Sequence, residues 1–299
     1  MRALERRWLA PAPARRLAAS RVVIGAFSVH YLLRRRRMLA GIAAQDERLY
    51  APVGAAHLAP RPLPERTARA ITDATLASGV AFTAGAGHRV SGPAHAALLL
   101  WTLSYRNSWS MVFHNDNLMV LHVAVLGLSR SADAWSVDAT LRPRTARSAT
   151  TGWQYGWPLR LMRTVTASTY FLAGVAKVAG PLGWRWATGE SLRRQVAADG
   201  VRKEVLGKLA APAAYALYRH VALFRILAVG SLAVELAAPA MLLSSRLSRL
   251  WALNAFAMHW GILALMDIRF RYSLSGVAFA PFLDLERVVA GAGALLTRR

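Results

Sequence analysis

The sequence predicts an all-α integral membrane protein, a bundle of about eight transmembrane helices with an interfacial amphipathic segment between the fifth and sixth. Two observations support this class. Hydrophobic residues make up 55% of the 299 residues, and the mean hydropathy is +0.28. Apolar runs also recur in blocks of about 20 residues, the length at which a helix crosses ~30 Å of hydrocarbon.

The charge and composition exclude several classes of protein. The net charge of +23 is compatible with nucleic-acid binding, but the arginines lie between apolar blocks instead of forming one basic face. We therefore expect no nucleic-acid partner, and we expect a lipid bilayer with anionic headgroups instead. The chain has no cysteine, which excludes disulfides and thiolate nucleophiles. No HExxH or paired-histidine spacing is present, so we expect no metal site.

The chain begins with a basic arm, predicted as residues 1–19, and continues into a transmembrane domain, predicted as residues 20–296. A basic start before an apolar stretch is typical of a signal peptide. Here the stretch ends in four arginines, residues 34–37, with no small-residue cleavage site. This pattern predicts an uncleaved first span.

The spans are predicted from the apolar runs and from the breaks between them. They cover residues 20–33, 68–86, 93–105, 110–128, 158–178, 222–243, 247–268 and 274–296. Four prolines in residues 51–66 stop any helix there and predict an external loop. Residues 181–220 are too polar to span, and they predict one or two amphipathic helices in the interface.

The fifth predicted span carries Lys177 at its end, in the apolar run 166–189. Charged residues inside membrane spans are rare and are functional-site candidates by default. Helical spacing places five residues on one stripe: Arg163, Thr166, Tyr170, Ala173 and Lys177. The small residues Ala173 and Gly174 leave room for another helix or for a flat ligand.

Each ionisable candidate has more than one interpretation. Lys177 either extends its ammonium to the headgroups or is a buried base with a lowered pKa. An ion pair with Arg163 or Lys177 ranks above a catalytic role for Glu235. His259 is a general acid/base, a donor to a bound ring, or a histidine bonded to a nearby backbone carbonyl, which is the commonest case.

Residues 170–177, with the sequence YFLAGVAK, are followed by Trp186, Ala187, Thr188 and Gly189. They resemble the YFxAGxxK and WxxG motifs of the vitamin K-dependent gamma-glutamyl carboxylases and of their bacterial relatives, the HTTM (horizontally transferred transmembrane) domain proteins. Further matches follow the same order along residues 20–285: Arg21 with Gly25, the Asn/His-rich residues 114–118, the WSVD of residues 135–138, Glu235, and His259, which lies three residues after Phe256.

The resemblance implies a site and its chemistry. In the carboxylases, a lysine deprotonates vitamin K hydroquinone, O2 adds, the resulting strong base removes a glutamate proton, and CO2 captures the carbanion. Lys177 matches that lysine, and Glu235 and His259 are the other implied catalytic residues. The implied cofactors are a reduced quinone of the vitamin K or menaquinone type, O2 and CO2. The implied cofactor-binding residues are Tyr170, Gly174, Thr166, Trp186 and Gly189.

Some features depart from the animal carboxylases. Arg185 stands where the family often has aspartate, and the large extracytoplasmic region is absent from these 299 residues. We therefore expect a multi-pass enzyme of the bacterial cell membrane that modifies a peptide or small-molecule substrate by carboxylation or oxidation. The alternative is a non-catalytic membrane protein for maturation, export or immunity of a secreted peptide. A transporter is less favoured because no inverted repeat is visible.

Overall fold

The computed structural model describes residues 8–141 and 150–287, and contacts divide the chain into two compact units. The first unit comprises residues 1–162 and 283–299, and the second comprises Arg163–Phe282. Apart from an antiparallel pair of two-residue strands, β1 (Ala12–Pro13) and β2 (Thr151–Gly152), the regular structure described is helical. The all-α part of the prediction is confirmed. The boundary between arm and domain at residue 20 stays a prediction.

The first unit is built around one long helix. Its helices are α1 (Ala14–Gly41), α2 (Glu65–Ala84), α3 (His88–Asn107), α4 (Asn117–Gly127), α5 (Val137–Leu141) and the first part of α6 (Trp153–Ala179). Helix α1 packs along α2 and also contacts α4, and α3 packs against both α2 and α4. Four 3-10 turns lie between these helices: Ile42–Ala44, Glu47–Leu49, Gly54–Leu58 and His114–Asp116.

The second unit begins with the remainder of α6. It continues through α7 (Glu190–Val205), α8 (Pro212–Leu217), α9 (Val221–Leu236), α10 (Ser245–Met266) and α11 (Arg271–Leu274), with 3-10 turns at Gly183–Thr188, Ala238–Leu242 and Val277–Phe282. One hydrophobic cluster of this unit comprises Val196, Ala211, Ala214, Phe224 and Leu265. This cluster joins α7, α8, α9 and α10.

The predicted integral membrane bundle of eight transmembrane helices is wrong. Within the described ranges, no helix has both the length and the hydrophobicity needed to cross a bilayer. Helix ends near prolines and charged residues beside the apolar stretches explain the difference. The sixth predicted span, residues 222–243, ends as an α-helix at Leu236 and continues as a 3-10 turn that contains Pro239. The first predicted span lies inside α1, which has arginines on both sides of the apolar stretch.

Two other predicted spans are also shortened by polar residues or proline. The fourth, residues 110–128, contains a 3-10 turn in which Asp116 pairs with Arg106, and after it only the 11-residue helix α4. The eighth, residues 274–296, begins with the end of α11 and a 3-10 turn that includes Pro281. Its part beyond residue 287 lies outside the described residues.

Helices of the first unit approach closely at glycines. A Cβ atom on Gly92 of α3 would lie 2.5 Å from the backbone oxygen of Gly127 on α4, and the reverse distance is also 2.5 Å. A Cβ on Gly25 of α1 would lie 2.5 Å from the Thr83 hydroxyl of α2. Any larger residue at these crossings would force the helices apart.

Arg21 of α1 is fully buried and links α1 to the end of α2 and to the segment between α4 and α5. Its guanidinium donates to the carbonyls of Phe82, Thr83, Ser131 and Trp135. Two of these carbonyls belong to the last turn of α2, whose unpaired carbonyls and dipole favour a cation. Burial lowers the pKa of Arg21 to about 10, which leaves it charged at neutral pH.

The WSVD motif, residues 135–138, forms hydrogen bonds both with Arg21 and with the start of α3. The Asp138 carboxylate accepts from the backbone N–H groups of Gly87 and His88, both at 2.8 Å, and so caps the start of α3. Trp135 accepts from Arg21 and has a positive φ of 46°. We call Arg21 and residues 135–138 the Arg21 cluster. Arg21 and residues 135–138, which both support the family resemblance, therefore have structural roles in the first unit.

A second buried polar cluster lies in the same unit and contains Asp116 of the Asn/His-rich segment. Arg106 and Asp116 form an ion pair of 2.9 Å, and their side chains are only 5% and 6% exposed. Tyr31 donates its hydroxyl to Asp116 and accepts from Arg106. The remaining Arg106 nitrogens donate to Asn107, so the buried charges are paired and hydrogen-bonded.

The stability of the protein is expected to fall as the pH drops from about 6.5 to 4, because His95 and His122 are buried in the first unit. Burial lowers the pKa of each to about 4, below the ordinary value of 6.5. In this range the unfolded chain binds protons that the folded chain does not. The two neutral histidines therefore make their full contribution to the free energy of unfolding above pH 6.5, and this contribution decreases on acidification. Thermal unfolding midpoints at several pH values measure the slope.

The variant His95→Gln removes one of these titrations, and its unfolding midpoint should depend less on pH. The exposed His57 provides the matched control, and His57→Gln should keep the wild-type slope. Equal slopes for His95→Gln and the wild type would contradict the prediction.

Candidate functional site

The candidate site lies in the second unit, where Lys177 of α6 meets Glu235 of α9. The ammonium nitrogen of Lys177 is 2.5 Å from Oε1 and 2.7 Å from Oε2 of Glu235. The Lys177 side chain is 25% exposed and that of Glu235 is 7% exposed. Burial raises the pKa of Glu235, although the lysine opposes the shift. Of the two partners considered for Glu235, the structure selects Lys177.

The close approach of α6 and α9 depends on Gly174. A Cβ atom there would lie 2.8 Å from the Cβ of Glu235 and 3.0 Å from the side chain of Leu236. Gly174 is buried, whereas its neighbour Ala173 is exposed. The room predicted beside Lys177 is therefore provided by Gly174, and a helix fills it. Contact between Gly174 and a cofactor stays a prediction.

Trp186 lies in the 3-10 turn Gly183–Thr188 and forms one wall beside Lys177. The lysine nitrogen is 5.0 Å from the centre of the indole ring, within the range of a cation–π contact. The indole is 8% exposed. Its Nε1 is buried and has no hydrogen-bond partner in the part of the chain that the structure describes.

Gly189 ends this turn with a φ of +82°, a conformation that favours glycine. A Cβ atom there would lie 2.4 Å from the backbone of Phe224 at the start of α9. This gives Gly189 a packing role that fixes the turn carrying Trp186 against α9. A cofactor contact of Gly189 stays a prediction.

Tyr170 and His259 form the second pair of the site. The Tyr170 hydroxyl lies 3.4 Å from Nδ1 of His259, which is 2.8 Å from the backbone oxygen of Ala255. Since that oxygen can only accept, Nδ1 carries the hydrogen and Nε2 keeps the lone pair. Burial lowers the pKa of His259, so the imidazole is neutral at pH 7. Thr166, one turn before Tyr170, is also fully buried.

One member of each pair lies on the same stripe of α6. Thr166, Tyr170, Gly174 and Lys177 follow one another at spacings of four, four and three residues, which places them on the same helical face. The Glu235 carboxylate contributes to raising the pKa of Tyr170, although burial is the larger cause. The site therefore combines an amine–carboxylate pair with a tyrosine and a neutral imidazole.

Sequence reasoning missed the aromatic surroundings of the second pair. Trp251 packs edge-on against the ring of Tyr170, with ring centres 5.0 Å apart. Phe270 and Phe279 contact His259, at 5.3 and 6.5 Å. Trp251 lies eight residues before His259, on the same face of α10, and this spacing is visible in the sequence. The two phenylalanines follow α10, and no periodic pattern places them there.

Comparison with known proteins identifies the family. The model described as HTTM domain matches residues 10–272, and the chain belongs to this family. The HTTM domain is associated with vitamin K-dependent carboxylase-like proteins, and the family is membrane-associated. No curated protein and no solved structure matches the chain. The predicted family membership is confirmed.

Proposed function

We propose that the protein is a vitamin K-dependent carboxylase-like enzyme that uses a reduced quinone of the vitamin K or menaquinone type and O2. Its substrate is a peptide or a small molecule, which it carboxylates with CO2 or oxidises. The observation that carries the proposal is the pairing of Lys177 with Glu235 in the run that resembles the lysine motif of the carboxylases. Family membership supports it.

The side chains near Lys177 include hydrogen-bond donors of the kind that suits a ring with hydroxyl groups. Trp186 offers a buried N–H without a partner among the described residues, and hydroxyl or carbonyl oxygen is the acceptor that such a donor needs. Tyr170 offers a buried hydroxyl. When bound, a reduced quinone supplies, together with O2, the oxidation that generates a strong base.

Lys177 acts as a base only as a neutral amine, and in the proposal Glu235 takes its proton. The Nζ of Lys177 lies 2.5 Å from Glu235 Oε1, and transfer of the proton leaves an amine and a neutral carboxyl group. Burial raises the pKa of Glu235 and so acts in the direction of this transfer, whereas the lysine itself lowers that pKa. The amine can then accept a proton from the hydroxyl of a bound ring.

His259 and Tyr170 have a supporting role in the proposal. The bond from Nδ1 to the Ala255 oxygen fixes the orientation of the imidazole and leaves Nε2 as an acceptor. Their aromatic neighbours limit water around the pair, which strengthens its electrostatic interactions. We assign these two residues to orienting the ring or the substrate.

The test uses the purified full-length protein in detergent. We expect reduced menaquinone or reduced vitamin K to be converted to the epoxide in the presence of O2, as followed by chromatography. Labelled bicarbonate with candidate peptides tests carboxylation. Absence of epoxide with both reduced quinones would contradict the proposal.

The same ion pair also favours the second candidate, a non-catalytic membrane protein for maturation, export or immunity of a secreted peptide. Both oxygens of Glu235 lie within 2.7 Å of the Lys177 nitrogen, an arrangement that would hold α6 against α9 without any chemistry. Folded protein that forms no epoxide, and in which loss of the pair lowers only stability, would support this candidate.

A further inference from the structure

Trp186 carries an unexplained polar atom next to the candidate base. Four buried side-chain atoms in the described part of the chain have no hydrogen-bond partner: His88 Nδ1, Trp109 Nε1, Thr164 Oγ1 and Trp186 Nε1. The Trp186 ring also contacts Lys177, whose nitrogen lies 5.0 Å from the centre of the ring. A buried donor without a partner is costly, so native proteins keep few of them.

The position of the indole is fixed by backbone packing. The Gly189 N–H donates to the Trp186 carbonyl at 3.2 Å, and the turn closes where Gly189 lies against the backbone of Phe224. Any side chain at residue 189 would collide with that backbone. The turn therefore cannot shift readily to bring the indole N–H to another acceptor, and the donor is preorganised.

We propose that the Trp186 Nε1–H donates to the ring oxygen from which Lys177 takes a proton, and that it stabilises the oxyanion formed there. This inference rests on the proposed function, since it concerns the same base. In the step, the O–H bond of the ring hydroxyl breaks, a bond from that proton to Lys177 Nζ forms, and the electron pair stays on the oxygen. A fixed donor next to a developing negative charge is an effective form of electrostatic catalysis.

The indole stabilises both products of this proton transfer. Its face lies 5.0 Å from the lysine nitrogen, where it favours the ammonium over the neutral amine. Its N–H favours the ionised oxygen over the hydroxyl. The site should therefore bind the ionised form of a phenolic ring more tightly than the neutral form.

The test uses 4-methoxy-1-naphthol under argon, a probe that has one ionisable hydroxyl. Trp186→Phe keeps an aromatic ring but removes the N–H. We expect it to bind the ionised naphthol roughly tenfold more weakly than the wild type and to raise the pKa of the bound naphthol by about one unit. Absorbance titration gives both quantities. Trp184→Phe, at a 70% exposed position two residues away, should match the wild type.

A readout on the bound probe separates this role from simple packing. Trp186→Phe leaves a cavity in place of part of the indole, so a lower thermal unfolding midpoint reports lost packing alone. Weaker naphthol binding with an unchanged pKa of the bound naphthol would show lost packing and would overturn the inference. So would unchanged naphthol affinity and pKa, or a wild-type protein that does not bind the probe.

The experiment also keeps the two proposals apart. Naphthol binding needs neither O2 nor turnover. Binding that depends on Trp186 in a protein that forms no quinone epoxide would overturn the proposed function and support the oxyanion donor. Epoxide formation that Trp186→Phe leaves unchanged, with unchanged naphthol binding, would do the reverse.

Discussion

Replacing Lys177 by alanine is expected to lower the rate of quinone epoxidation by at least about 100-fold, the lower end of what a general base contributes. The amine is the group proposed to accept the hydroxyl proton, and alanine leaves nothing at that position to replace it. Initial rates of epoxide formation at saturating reduced menaquinone measure the effect. Lys208→Ala is the matched control, because Lys208 is exposed, and it should keep the wild-type rate.

Glu235→Gln distinguishes a proton acceptor from a structural partner. If Glu235 takes the proton of Lys177, the amide cannot replace it, and the rate should fall with that of Lys177→Ala. If Glu235 only holds the lysine charged, its neutralisation should favour the free amine and raise the rate at a given pH. A Lys177→Ala rate close to that of the wild type would refute the proposed base whatever Glu235 does.

Replacing Asp116 by alanine is expected to lower the free energy of unfolding by about 3–5 kcal/mol, the cost of removing one partner of a buried ion pair. Arg106 would keep its charge at a position where its side chain is 5% exposed, and the Tyr31 hydroxyl would lose its acceptor. Denaturant titration measures the loss. Because Asp116 is in the first unit, the change tests the fold without touching the candidate site.

Two variants act as controls for this prediction. Asp73→Ala removes an ion pair with Arg36 whose side chains are 42% and 50% exposed, and it should cost much less than Asp116→Ala. The double variant Arg106→Met with Asp116→Ala removes both charges and should recover part of the stability. If Asp116→Ala and Asp73→Ala cost the same, the buried pair does not stabilise the first unit as proposed.

The sequence predicts the helical class because apolar and small residues recur over long stretches. It fails on helix length, and therefore on the membrane-spanning bundle, for local reasons. Helix α9 ends at Leu236, before the apolar run ends, and the run continues as a 3-10 turn with Pro239. Arg106 in the last turn of α3 pairs with Asp116 in the following 3-10 turn, so the chain does not continue there as one helix. A hydropathy pattern averages over prolines and charged residues. It does not show which charged residues form ion pairs in the folded chain.

The site was predictable in part. Helical spacing and the family motif together place Tyr170 and Lys177 on one face, and the resemblance adds Glu235 and His259. The choice between Arg163 and Lys177 as the partner of Glu235 depends on the crossing of α6 and α9, which is long-range geometry. For the same reason the sequence cannot show that the Trp186 N–H lacks an acceptor.

The Arg21 cluster also has a consequence for the order of folding. Its bonds join Arg21 to residues 61, 62, 110 and 114 positions further along the chain. Contacts of such separation close large loops and form late. During synthesis, therefore, the Gly87 and His88 N–H groups at the start of α3 cannot receive their final partner, the Asp138 carboxylate, until residue 138 has been made. Until then, the helices made earlier are stabilised by contacts among the residues already synthesised.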